Sequence, residues 1–196
     1  MPVATDLFSP GGQRTPGRLL FVGRINTQKG IDHLLRSMAR MKTKATLDVV
    51  GDGPGKEAMM QLATDLGISE RVNWVGQLKQ PQLVDYYRRA SAMVVPSIDE
   101  GLGLAAVEAL LCETPVVAFN SGGLTDVVRD GQTGVLVPPG DMEALARALD
   151  DILGSEENAR NLGVAGRIYA LATFAPESAA RRYADIYRQA LDASPS

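Results

Sequence analysis

Short apolar runs and helix-patterned stretches take turns along this chain about six times, and a turn residue stands at nearly every run's end. That alternation limits the fold more than any other feature. The runs are Leu19-Leu20-Phe21-Val22, Leu47-Asp48-Val49-Val50, Val72-Asn73-Trp74-Val75, Met93-Val94-Val95, Val116-Val117-Ala118 and Val135-Leu136-Val137. Most are continuously apolar, as expected of strands buried on both faces. Between them, Ile31, Leu34, Leu35, Met38 and Met41 mark one face of a helix. Further helices are predicted over about 56–66, 82–90, 104–112 and 124–128. Asp141 is a plausible N-cap for a stripe of Met142, Leu145, Ala146, Leu149, Ile152 and Leu153. Helices over about 156–171 and 177–191 complete the chain, with Pro176 near the start of the last. The expected class is therefore α/β: a doubly wound parallel sheet flanked by helices, Rossmann-like, with a helical C-terminal segment.

The 196 residues suit one domain that buries enough surface to fold without staples. Residues 1–17, rich in Pro and Gly, are expected to have little to bury and to form a lead-in loop; the domain proper is expected over 18–192. One cysteine, Cys112, excludes a disulfide framework, and one histidine, His33, excludes any site that needs two. His33 is expected at the surface; Cys112, Trp74 and Phe21 are expected in the core. Lys and Arg number 20 against 23 Asp and Glu, a net charge of −3, which argues against a nucleic-acid partner. No D-x-D spacing occurs, so no divalent-metal site is evident and no cofactor is expected. The sequence from Met1 to Asp6 lacks a secretory pattern, and no apolar run approaches a membrane span, so a cytoplasmic location is expected.

Ligands of such sheets bind beyond the carboxyl ends of the strands, which directs attention to the loops there. Gly23 to Gly30 is a glycine-bounded loop carrying Arg24 and Lys29; it reads either as a phosphate cradle or as a solvated basic loop. Gly51-Asp52-Gly53-Pro54-Gly55 begins like a dinucleotide fingerprint, but its spacing is wrong and Pro54 removes a donor, so a turn is the better reading. Gly122-Gly123 could lend N–H groups to a phosphate, with a simple turn favoured. The strongest constellation runs from Pro96 to Leu111. Glu108 is the only charge between Gly101 and Cys112 in an otherwise apolar helix, and Glu100 precedes that helix. A buried carboxylate needs hydrogen-bond donors, which vicinal sugar hydroxyls supply; pairing with an arginine or with a neighbouring backbone group is the competing reading. Free N–H groups after Gly101 and Gly103 would form an anion site between the two carboxylates.

Phe21-Val22-Gly23-Arg24, Lys29-Gly30, Val50-Gly51-Asp52-Gly53-Pro54, Val95-Pro96-Ser97, Glu100-Gly101-Leu102-Gly103-Leu104, Glu108-Ala109 and Pro115-Val116-Val117 occur in this order. The set resembles the C-terminal, donor-binding domain of GT-B retaining glycosyltransferases of family 4 (glycosyl transferases group 1). The Glu100–Glu108 pair is its most specific motif. The resemblance implies a donor linked to UDP, GDP or ADP and transfer of its sugar to an acceptor hydroxyl without a metal. It implies that Arg24 and Lys29 neutralise the diphosphate, that Glu100 meets the donor sugar near the reacting carbon, and that Glu108 holds the ribose. Gly101, Leu102, Gly103 and Leu104 would contact phosphate and sugar through their N–H groups. Gly23 would border the donor, and Val75 and Gly76 would lie near the base.

Glu113 departs from the pattern, occupying a position where the family usually has glycine. The resemblance also implies an N-terminal acceptor domain that this sequence lacks, supplied by a longer protein or a partner chain, without which the chain would be nearly inactive. Peripheral membrane association of the full enzyme and a homodimer of the isolated domain stay open. The alternatives are a non-catalytic nucleotide-sugar-binding module and a GT-B-fold nucleotide-sugar epimerase.

Overall fold

In the computed structural model, which describes residues 4–176 and Ser178, the apolar runs become β1 (Arg18–Val22), β2 (Thr46–Val50), β3 (Val72–Gly76), β4 (Ala92–Val95), β5 (Val116–Phe119) and β6 (Gly134–Val137). They form one parallel sheet in the order β3-β2-β1-β4-β5-β6. The helices between and after them are α1 (Ile31–Met38), α2 (Lys56–Asp65), α3 (Gln80–Arg89), α4 (Leu104–Leu111), α5 (Leu124–Val127), α6 (Met142–Gly154) and α7 (Glu156–Phe174). Among the described residues, no helix is long and apolar enough to cross a membrane.

Side chains alternate across each strand and feed two cores. From β1, Leu19 and Phe21 join α1 and α6 on one face, whereas Leu20 joins α3 and α4 on the other. This double burial explains the continuous apolar runs. The order turns back between β1 and β4. The chain leaving β1 enters α1 on the first face, and the chain leaving β4 enters α4 on the second, so their connecting loops diverge and open a crevice at the switch point.

Several elements differ from the sequence expectation. The lead-in is a packed strap: Phe8 is completely buried, its ring edge-on to Tyr87 at 5.8 Å. Arg88 donates to the Ser9 carbonyl and hydroxyl oxygens at 2.7 and 2.9 Å. One aromatic among glycines and prolines is enough to anchor the segment on α3, because its burial alone is worth about 2 kcal/mol. Helix α3 begins two residues early, since Pro81 in a first turn sacrifices no helical hydrogen bond. Helix α7 runs on to Phe174 and stops where Ala175, preceding Pro176, turns extended. The expected helix over 177–191 lies outside the described residues. Asp141 does cap α6, accepting from the Ala144 N–H at 2.8 Å. His33 is half-buried instead of superficial, its ring edge-on to Phe119 at 5.6 Å. Phe21 and Cys112 are buried, and burial pushes the Cys112 thiol up to about 12; Trp74 is only partly buried against the first core.

Candidate functional site

The crevice at the switch point consists of two adjoining clefts that share Val22 and Gly23. The larger, about 540 Å³, lies over the ends of β1, β2 and β3. Arg24 stands on its rim, exposed, and makes no ion pair among the described residues. The Gly51–Gly55 loop is the expected turn, but it also supports Arg24. Ile25 donates to the Asp52 carbonyl and accepts from the Gly55 N–H, both at 3.0 Å, which clamps the backbone beside the arginine. Gln77, Leu78 and Leu83 line the far wall. Val75 and Gly76, the residues expected near a base, border neither cleft; they close β3, and the residues that follow directly, Gln77 and Leu78, reach the larger one.

The smaller cleft, about 360 Å³, brings together Gly23, Lys29, Ser97, Glu100 and Glu108 with the first residues of α4. Lys29 is held by its backbone, where its N–H donates to the Asn26 side chain at 3.0 Å. Gly30 follows in the left-handed region at φ 65°, pressed so closely on Pro96 that a Cβ would lie 1.9 Å from the Pro96 carbonyl oxygen. The Lys29 ammonium reaches the Glu100 carboxylate at 2.7 Å, and the Ser97 hydroxyl donates to the same oxygen at 3.0 Å. The cation and one acid expected to share a ligand therefore pair with each other across loops 71 residues apart.

Glu100 owes its position to Gly122-Gly123 beneath it. The Gly123 N–H donates to the Glu100 carbonyl at 2.8 Å, and a Cβ on Gly123 would fall 2.0 Å from the Gly101 carbonyl oxygen. That N–H is thus occupied, and the pair acts as a bed for the Glu100 loop, close to the turn the sequence suggested. Helix α4 starts at Gly103 without a side-chain cap. Ala106 and Val107 donate to Gly103, while the N–H groups of Leu104 and Ala105 have no acceptor among the described residues. These donors border the cleft and favour an anion there.

Glu108 sits one turn further along α4, 9% exposed. Among the described residues no arginine pairs with it; the Tyr87 phenol donates to its Oε2 at 2.8 Å. Burial raises the Glu108 carboxyl above the ordinary range, while the Tyr87 phenol and the Gln80 side chain pull it partly back. The same burial, with Glu108 beside it, holds the Tyr87 phenol well above its usual value. The sequence does not single out Tyr87, Gln77 or Leu78, and it places Ser97 in the constellation from Pro96 to Leu111 without a role of its own. Tyr87 reaches the site from a different helix, and no local pattern announces that.

The model of the family described as glycosyl transferases group 1 matches residues 5–168. The chain belongs to that family. It is 36% identical over 212 residues to the D-inositol 3-phosphate glycosyltransferase of Streptomyces scabiei, covering 96% of this chain and 47% of that protein. Among solved structures, sucrose-phosphate synthase from Thermosynechococcus elongatus superposes with a TM-score of 0.87 at 36% identity, covering 98% of this chain and 52% of that one. Anabaena HepE in complex with UDP shares the fold at 22% identity and a TM-score of 0.82, over 96% and 56% of the two chains. The fold is the Rossmann-like domain of GT-B glycosyltransferases. The group 1 chain described here spans about half the length of the relatives it matches.

Proposed function

We propose that this chain is the donor-binding half of a retaining family 4 glycosyltransferase, which moves a sugar from a nucleoside-diphosphate sugar to an acceptor hydroxyl held by a second, N-terminal domain. The observation that carries the reading is the convergence of Lys29, Glu100, Glu108 and the uncapped start of α4 on one cleft, with Arg24 on the adjoining rim. A diphosphate needs cations and N–H donors; Arg24 lines the larger cleft, and Lys29 with the first N–H groups of α4 lines the smaller one that adjoins it. A ribose needs an acceptor for its vicinal hydroxyls, and Glu108 offers one from a buried wall. The base would lie in the larger cleft against Gln77 and Leu78, beyond Val75 and Gly76.

In the reaction, the bond from the anomeric carbon to the diphosphate oxygen breaks and its electron pair departs with the phosphate. Arg24, Lys29 and the N–H groups of Leu104 and Ala105 counter that growing charge, which is the main rate contribution a metal-free site can make. Glu100, released from Lys29 by the diphosphate, faces the sugar. The acceptor oxygen attacks from the side the leaving group vacates and passes its proton to the departing diphosphate oxygen, so the anomeric configuration is kept. The second domain closes the crevice and excludes water.

UDP, which HepE binds, is the first probe of a thermal-shift panel that also holds GDP, ADP and their sugars. The ligand that raises the melting temperature most is then titrated calorimetrically. Arg24→Ala and Glu108→Ala are each expected to weaken it by about 1–3 kcal/mol, the worth of a charged hydrogen bond. Unchanged affinity in both variants would remove the proposed site.

A further inference from the structure

We infer that Tyr87 is a positioning residue for ribose recognition: its phenol fixes the Glu108 carboxylate in the orientation that receives the sugar hydroxyls. The inference rests on the proposed nucleotide-binding reading and deepens it.

Three observations carry it. The first is contact. Tyr87 is fully buried, and its hydroxyl donates to Glu108 Oε2 at 2.8 Å. The second is rigidity. The Phe8 ring stands edge-on to the Tyr87 ring at 77°, and the Thr114 hydroxyl donates to the Tyr87 carbonyl at 2.6 Å, so ring and backbone are both held. A glutamate has three side-chain torsions, and a fixed donor on one oxygen removes most of that freedom before any ligand arrives. The third is incompleteness. An ionised carboxylate accepts at about four lone-pair sites. Among the described residues, one phenol, with a weaker contribution from Gln80, leaves Glu108 short of donors although it is nine-tenths buried. A carboxylate kept only for packing would be better replaced by an apolar side chain. The unspent acceptor capacity borders the cleft, where vicinal hydroxyls would complete it.

The test is a comparison of two ligands in three proteins. Whichever of UDP, GDP or ADP stabilises the chain most is titrated alongside its 2′,3′-dideoxy counterpart, which lacks the ribose hydroxyls. The proteins are the wild type, Tyr87→Phe and Glu108→Ala. Tyr87→Phe keeps the ring in its slot against Phe8 and is expected to fold. It should weaken the ribonucleotide about fivefold, one hydrogen bond's worth of alignment, while leaving the dideoxy nucleotide within about twofold. Glu108→Ala should erase the preference for the ribonucleotide. Equal losses on both ligands in Tyr87→Phe, or no loss, would overturn the positioning role while Glu108→Ala still supports ribose binding. A preference that survives in Glu108→Ala would overturn the ribose reading itself, and the role of Tyr87 with it.

Discussion

Glu108 is a carboxylate kept in surroundings that favour its neutral form, and its neighbours decide how far. Because its folded value is raised, the native state holds more protons than the unfolded chain between the two values, and stability falls as pH rises through that window. Glu108→Gln removes the desolvated charge yet keeps an acceptor for Tyr87. At neutral pH it should raise the melting temperature by about 1–3 °C, a gain that disappears in acid below the ordinary carboxylate range. The same variant should bind the nucleoside diphosphate more weakly. Differential scanning fluorimetry across pH, beside calorimetric titration, checks both. Glu100 plays a different part, because it occupies Lys29 until an anion competes. Glu100→Gln frees the lysine and removes a negative charge beside the diphosphate. On the proposed donor-binding reading, bare nucleoside diphosphate should therefore bind about fivefold tighter, with sugar transfer lost in the longer protein that the proposal implies. Weaker binding of the diphosphate in that variant would show that Glu100 is a ligand-side acceptor only.

At the scale of elements, loops matter as much as helices. Helix α4 ends at Leu111, and two residues on Glu113 adopts φ 61°, the one left-handed residue other than glycine among those described. Its N–H donates to Leu110, and that of Thr114 to Ala109, so the helix closes as it would with glycine. The departure from the family pattern leaves the geometry intact and is met by local strain. Glu113→Gly should stabilise the chain by about 0.5–1 kcal/mol, the left-handed penalty less the added freedom of the unfolded state, as read from urea unfolding. Nucleotide affinity should stay unchanged, since Glu113 lies at the far end of α4. On the site side, the same scale explains Lys29. A short turn, the Asn26 cap and the close contact of Gly30 with Pro96 stitch its loop to that of Glu100.

The whole molecule joins two cores across one sheet, and residues 4–17 belong to it. Phe8→Ala opens a cavity beside Tyr87 and should cost about 3 kcal/mol or more in chemical denaturation. A change within about 0.5 kcal/mol would mean that the strap contributes little to the fold.

The strands, the order of helices and the two acids around the start of α4 were legible in the residues themselves, because burial on both sheet faces forces continuous apolar runs, and a lone charge within an apolar helix stands out. Lys29 and Arg24 were legible for the same reason, as cations in a glycine-bounded loop at a strand end. Other features belong to tertiary structure alone. Which loops diverge depends on the strand order, and no local pattern encodes that order. Tyr87 meets Glu108, Phe8 meets Tyr87, and Lys29 meets Glu100 only after α3, the strap and the β4–α4 loop have docked. Propensity and periodicity act over a few residues, whereas these contacts close over 21, 79 and 71, a distance that only the packed sheet can span.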